Sequence, residues 1–144
     1  VEDGNRGLTE KGIERIKRMA IASAAVFKDS EVVYSSPANR ALHTACIAIH
    51  ELQLPFESLE LRESLYTFES SKLIQFIKSI PNHFSNVICV GHNPAFTFAV
   101  SAMSTTPLDH LPTAAWVQIH FEQNEWKNIQ NGKAILGLPK DILK

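Results

Sequence analysis

The stretch VICVGHNP, residues 87–94, places a histidine directly after a short apolar run. Four consecutive apolar residues that end at a glycine are typical of a buried β-strand. Asn-Pro follows, and asparagine is a favoured helix N-cap while proline is favoured at the first helical position. The stretch therefore predicts a strand over residues 86–90 that runs into a helix over residues 94–103, with His92 at the junction.

A second junction of the same kind lies upstream. Residues 31–35 predict another short strand, and Ser36-Pro37 predicts the start of a helix that extends to about Leu52. In an open α/β sheet, ligands bind at the carboxyl ends of the strands, where helix N-termini present N–H groups and positive dipole ends to anions. Arg40 lies in the first turn of this helix. A guanidinium binds phosphate oxygens through two hydrogen bonds and an imidazole can donate another, so Arg40 and His92 predict a phosphate pocket.

The rest of the chain alternates helices and strands before its character changes. Thr9 is the expected N-cap of a first helix, residues 60–62 are an expected short strand, and residues 71–80 an expected helix. From residue 115 onward apolar and polar residues alternate, and we interpret residues 115–121 and 126–129 as an antiparallel hairpin. This order predicts an α/β fold, a three-layer α/β/α sandwich with a mixed, mainly parallel sheet and a C-terminal antiparallel hairpin, in one domain over residues 1–144.

Composition and charge narrow the class of function. The chain has 144 residues, 44% of them apolar, and its 14 basic and 15 acidic residues give a net charge of −1. No global positive field draws such a chain to nucleic acid or to a membrane surface, so an anionic ligand must be bound by a few placed groups. No apolar run is long enough to span a bilayer and no segment resembles a signal peptide, and we therefore expect a soluble, cytoplasmic protein.

The remaining titratable residues carry no motif of their own. Cys46 and Cys89 lack CxxC spacing, and we interpret them as reduced core thiols. No Asp, Glu or His cluster has the spacing of metal ligands, so no metal or other cofactor is expected. Five histidines are interpreted as structural or exposed: His43, His50, His83, His110 and His120.

Several segments of the chain resemble the histidine phosphatase (phosphoglycerate mutase-like) superfamily. The segment SSPANRALHTA, residues 35–45, is similar to its SSPxxRAxxTA motif, and VGHNP, residues 90–94, to its second-histidine segment. The segment RGLTEKG, residues 6–12, resembles the family's RPLTxxG, with Gly7 in place of the usual proline. The segment LPTAA, residues 111–115, and the Trp126 segment resemble the small bacterial phosphohistidine phosphatase branch.

The resemblance implies a phosphatase that hydrolyses phosphohistidine or another phosphomonoester through a phosphohistidine enzyme intermediate, without a metal. Arg40 and His92 are then catalytic groups that hold the phosphoryl oxygens, and Arg6 and Asn93 are further phosphate ligands. Glu63 lies roughly where relatives keep an acidic proton donor. Two of these assignments have open alternatives, because Arg6 can equally tether its loop and Glu63 can equally be a surface carboxylate.

The nucleophile that the resemblance implies is not in the sequence. In the family it belongs to an Arg-His motif at the end of the first strand, and these 144 residues contain no Arg-His pair. We expect the motif upstream of Val1, on a strand that lies between those at 86–90 and 115–121. The chain would then lack an N-terminal stretch that the whole protein has.

Two other classes of function stay open beside the phosphatase. One is a homologue that has lost the nucleophile and only binds phosphate or a phosphopeptide. The other is a Rossmann-type nucleotide-binding domain, which is disfavoured because neither GxGxxG nor GxxxxGK[ST] occurs.

The expected partner is a phosphorylated protein side chain or a small phosphomonoester, with no nucleic acid and no membrane. A chain of this length leaves no lid domain, which favours an open pocket. We expect residues 1–8 to be mobile and Arg6 to become ordered when an anion binds. The sequence does not indicate an oligomeric state.

Overall fold

The structure, a computed structural model, describes residues 7–144. The two predictions for Arg6, as a phosphate ligand and as a residue ordered by an anion, fall outside these residues. The described helices and strands are, in chain order, α1 (Glu10–Ala22), α2 (Ala24–Phe27), β1 (Val32–Ser35), α3 (Asn39–Glu51), β2 (Leu59–Leu61), α4 (Ser70–Lys78), β3 (Val87–Val90), α5 (Ala95–Met103), β4 (Trp116–His120), β5 (Lys133–Gly137) and α6 (Pro139–Ile142).

The first three described strands form a parallel sheet in the order β2-β1-β3. Ser35, at the carboxyl end of β1, pairs in register with Leu61 of β2 and with Val90 of β3. The carboxyl ends of all three strands therefore lie at one edge of the sheet. This confirms the predicted α/β class with a parallel sheet.

Side chains of β1 alternate between two apolar layers. Val32 and Tyr34 pack in a cluster that contains residues of α4 and α5, whereas Val33 packs against Ala45 and Ile49 of α3. Successive residues of a strand point to opposite faces, so helices cover the sheet on both sides. The result is the predicted α/β/α arrangement, with α1 packed against α3.

The C-terminal hairpin is present, but its second strand was predicted in the wrong place. β4 pairs antiparallel with β5, whereas Trp126–Asn128 forms a short 3₁₀ turn. Trp126 is held by distant residues, since its main-chain N–H donates to Asn82 Oδ1 at 3.0 Å and its indole N–H to the Phe84 carbonyl at 2.9 Å. These tertiary contacts override the local alternation. Within residues 7–144 the parallel strands and the hairpin are separate sheets.

Of the four predicted helix starts, one lies at the predicted residue. Thr9 is the N-cap of α1, and its Oγ1 accepts a hydrogen bond from the Gly12 N–H at 3.0 Å. Two helices begin later than predicted, α3 at Asn39 and α5 at Ala95, and α4 begins one residue earlier, at Ser70. At α3 the reason is that the extended backbone continues to Ala38, which is the N-cap in place of Ser36.

Among the helices of residues 7–144, none combines the length and the apolar character needed to cross a membrane.

Candidate active site

The two strand-to-helix junctions meet at the carboxyl edge of the parallel sheet. The Ser36 N–H donates to the Val90 carbonyl at 3.0 Å, which extends the β1–β3 pairing one residue beyond β1. Ser36 is fully buried, with 0% of its surface exposed. The segments predicted to build the phosphate pocket are therefore adjacent in space.

His92 makes a side-chain hydrogen bond across this edge. Its Nε2 lies 2.9 Å from Ser36 Oγ, and the same hydroxyl oxygen accepts the Ala38 N–H at 3.2 Å. A partly buried imidazole held by a fully buried hydroxyl has a restricted orientation. The Ser36-Pro37 pattern predicts only the start of a helix, and no local signal reports the contact of Ser36 with His92.

Gly91 allows the chain to pass closely between neighbouring groups just before His92. A Cβ at this position would lie 2.5 Å from a ring carbon of Phe96 and 3.1 Å from the Leu65 carbonyl oxygen. No side chain fits there without movement of the ring or the loop. The close packing of residues 65 and 91 brings the loop after β2 against the His92 junction.

Asn93 uses its side chain to begin α5. Its Oδ1 accepts hydrogen bonds from the Thr97 N–H at 3.2 Å and the Thr97 hydroxyl at 3.0 Å. Its Nδ2 donates to the Leu111 carbonyl at 3.3 Å. These bonds satisfy an N–H of the first helical turn and tie the junction to residue 111. A contact of Asn93 with phosphate stays a prediction.

Arg40 and Glu63 both follow strand ends at this edge. Arg40 is the second residue of α3 and is exposed. Glu63 opens the 3₁₀ turn Glu63–Leu65 and is also exposed. The turn is anchored to the sheet because the preceding Arg62 N–H donates to the Ser35 carbonyl at 2.9 Å. The convergence of Arg40 and His92 on one phosphate pocket and the role of Glu63 as a proton donor stay predictions.

Two aromatic rings that the sequence analysis did not select lie against His92. The ring centroid of Tyr66 is 5.3 Å and that of Phe68 is 5.9 Å from the imidazole centroid, at interplanar angles of 44° and 66°. The only local signal was a pair of aromatic residues in a loop whose one other apolar residue is Leu65. Their proximity to His92 depends on the path of the loop after β2, which no local pattern reports.

The thiol on β3, just before this junction, is unreactive near neutral pH. Cys89 is a partly buried residue of β3 whose side chain packs against the apolar cluster, and burial raises the pKa of its thiol from 9.0 to about 12. A thiol with so high a pKa stays protonated near neutral pH and is a poor nucleophile. Cys46 and Cys89 are both free, as predicted. Within residues 7–144, no group of three or more His, Cys, Asp or Glu side chains could hold a metal ion.

Solved structures of similar fold include three SixA proteins. The protein histidine phosphatase SixA complexed with tungstate is 22% identical, with a TM-score of 0.83 over 100% of this chain and 90% of that one. A protein from Nakamurella multipartitia assigned as phosphohistidine phosphatase SixA is 20% identical, with a TM-score of 0.70 over 96% of this chain and 86% of that one.

The third structure is a protein from Agrobacterium tumefaciens, also assigned as phosphohistidine phosphatase SixA. It is 23% identical, with a TM-score of 0.61 over 70% of this chain, and the chain spans 64% of its length. No curated protein matches in sequence.

Family membership follows from the sequence of the chain. Residues 2–86 match the histidine phosphatase superfamily (branch 1), and this segment includes β1, Ser36 and Arg40. The match covers more than half of the chain, and the chain therefore belongs to the histidine phosphatase superfamily.

Proposed function

We propose that this protein is a phosphatase that hydrolyses phosphohistidine or another phosphomonoester through a phosphohistidine enzyme intermediate. The observation that carries the proposal is the 2.9 Å hydrogen bond between Ser36 and His92, which joins the two junctions at the carboxyl edge of the sheet in a member of this superfamily. Helix N-termini at such an edge favour anions. The tungstate bound to a SixA of similar fold is a tetrahedral oxyanion, as phosphate is.

In the proposed reaction a histidine nucleophile, encoded upstream of Val1, attacks phosphorus in line with the leaving group. The bond from phosphorus to the leaving group breaks as the bond to the histidine nitrogen forms, and water then hydrolyses the phosphoenzyme. Arg40 and His92 donate hydrogen bonds to the equatorial phosphoryl oxygens, whose charge must be stabilised in the transition state. Arg6 and Asn93 are the proposed further phosphate ligands.

Glu63 is the proposed donor of a proton to the leaving group. Its position in an exposed turn, anchored to the end of β1 through Arg62, supports access to substrate from the solvent side. This step matters most for an alkoxide leaving group, because an imidazole leaves with less protonation. No step of this mechanism uses a metal.

The proposed substrate is a phosphorylated side chain of another protein or a small phosphomonoester. The exposure of Arg40, Glu63 and Tyr66 supports an open site that a protein surface can approach. The near-neutral net charge of −1 supports recognition by a few placed groups rather than by a broad basic surface.

The test compares the chain preceded by its native upstream segment with residues 1–144 alone. Phosphate release from phenyl phosphate is measured with and without a chelator. We expect turnover by the longer protein, unchanged by the chelator, and no turnover by residues 1–144. Phosphate binding without turnover in both would favour a binding homologue, and turnover by residues 1–144 alone would exclude an upstream nucleophile.

A further inference from the structure

The loop after β2 presents two large aromatic side chains to solvent beside His92. Tyr66 is 43% and Phe68 is 52% exposed. We propose that these two rings, here called the aromatic wall, receive the planar ring that carries the phosphoryl group, so that the site prefers aromatic and heteroaromatic phosphoryl donors over alkyl phosphates. This inference rests on the proposed function and specifies which leaving groups that site accepts.

The backbone of the aromatic wall is firmly held although its rings are exposed. Leu65 has 0% exposure, and its carbonyl lies against Gly91. The Tyr66 N–H donates to the Glu63 carbonyl at 2.9 Å, and the Glu69 N–H donates to Thr67 Oγ1 at 3.1 Å. A surface whose backbone is ordered before the ligand arrives loses less conformational entropy on binding.

The geometry places the aromatic wall within reach of a phosphate held by His92. Both rings already contact the imidazole, at centroid distances of 5.3 Å and 5.9 Å. A phosphoryl group that accepts a hydrogen bond from His92 therefore brings its attached ring close to Tyr66 and Phe68. Pairs of aromatic rings stabilise each other beyond their buried area by a factor of roughly 2–12 in affinity. An ethyl group cannot make such ring pairs.

A matched control is available elsewhere on the surface. Phe56 is 67% exposed and lies in the 3₁₀ turn that precedes β2, at the opposite edge of the sheet from His92. Truncation of Phe56 removes an exposed phenyl ring of the same kind without touching the site. Neither wall residue nor Phe56 is buried, since their exposed fractions are 43%, 52% and 67%, so their truncation leaves the core intact.

The experiment uses the protein with its native upstream segment and measures the binding of phenylphosphonate and ethylphosphonate by calorimetry. These probes are not hydrolysed, so differences in leaving-group reactivity do not enter. The variants are Tyr66→Ala, Phe68→Ala and the control Phe56→Ala, with Tyr66→Phe to keep the ring and remove the hydroxyl. Phosphate release from phenyl and ethyl phosphate is measured in parallel.

We expect each wall truncation to weaken phenylphosphonate roughly 2–12-fold and to leave ethylphosphonate unchanged. Tyr66→Phe and Phe56→Ala should retain the phenyl preference. An equal loss for both probes would show that the rings only orient His92, and that result, like an unchanged preference or no binding of either probe, overturns the inference. A phenyl preference that depends on the wall without any turnover supports the inference and overturns the proposed phosphatase activity alone.

Discussion

The two strand-to-helix junctions look alike in sequence, but the residues that make their side-chain hydrogen bonds differ in position and in burial. After β1, the side chain with the hydrogen-bonding role is Ser36, which is fully buried and three residues ahead of α3. After β3, Asn93 accepts the Thr97 N–H of the first turn of α5, while His92 is only partly buried. One junction thus supplies a buried support and the other supplies the imidazole that this support orients. A shared cap-proline pattern therefore indicates where the edge of the sheet lies but not the role of each residue there.

The strongest test of this comparison removes one functional group from each junction. In the protein with its upstream segment, we expect Arg40→Ala and His92→Ala each to lower phosphate release on the order of 10²–10³-fold, because each removes a donor to the charge of the transition state. Since both act on one transition state, the double variant should lose less than the product of the two single effects. Steady-state kinetics with phenyl phosphate measures all three.

Arg40→Lys separates the effect of charge from the effect of geometry. It keeps the positive charge but loses the bidentate geometry of the guanidinium, so its rate of phosphate release should lie between those of Arg40→Ala and the unchanged protein. If the two losses multiply fully in the double variant, or if both substitutions leave the activity intact, Arg40 and His92 do not act in one pocket.

A second test concerns the close packing that only the β3 junction requires. Gly91→Ala places a Cβ 2.5 Å from the Phe96 ring and 3.1 Å from the Leu65 carbonyl. We expect the free energy of unfolding to fall by about 1–3 kcal/mol, the usual cost of overpacking. Denaturant unfolding measures the change.

The matched control for Gly91 is Gly7→Ala, at a position where a Cβ has no atom within 4 Å. It should change stability by less than half as much. Alanine in place of glycine restricts the unfolded chain and by itself favours folding. Equal losses of stability at the two glycines would therefore show that the crowding beside His92 does not decide the cost.

The smallest expected effect tests the cap at the β3 junction. Asn93→Ala removes the acceptor of the Thr97 N–H and hydroxyl, and we expect a loss of about 1 kcal/mol in the free energy of unfolding. Asn93→Asp keeps an acceptor oxygen and loses only the donor to Leu111, so it should cost less. If thermal unfolding shows the aspartate variant to be as unstable as the alanine variant, the hydrogen bond to Leu111, and not the bonds from Thr97, accounts for the stability that Asn93 contributes.

Local sequence patterns predicted an element correctly where the pattern of a segment matches the burial of that segment in the fold. The short strand β1 and the Thr9 cap of α1 were predicted from neighbouring residues, because a strand buried on both faces needs apolar side chains and a helix start needs an acceptor for its free N–H groups. Prediction failed where partners are distant. Trp126 reads locally as strand, but Asn82 and Phe84 hold it in a turn, and the strand that pairs with β4 is Lys133–Gly137.

By itself the sequence determined the α/β class, the membership of the superfamily, and the selection of Arg40 and His92 as residues at the carboxyl ends of strands. These features depend on short-range patterns of polarity and capping. Only the tertiary structure decided that Ser36 orients His92 and that Tyr66 and Phe68 lie against the same ring. Those contacts join segments that are far apart in the chain, and what brings them together is the pairing of β1 with β3 and the burial of Leu65 beneath the loop.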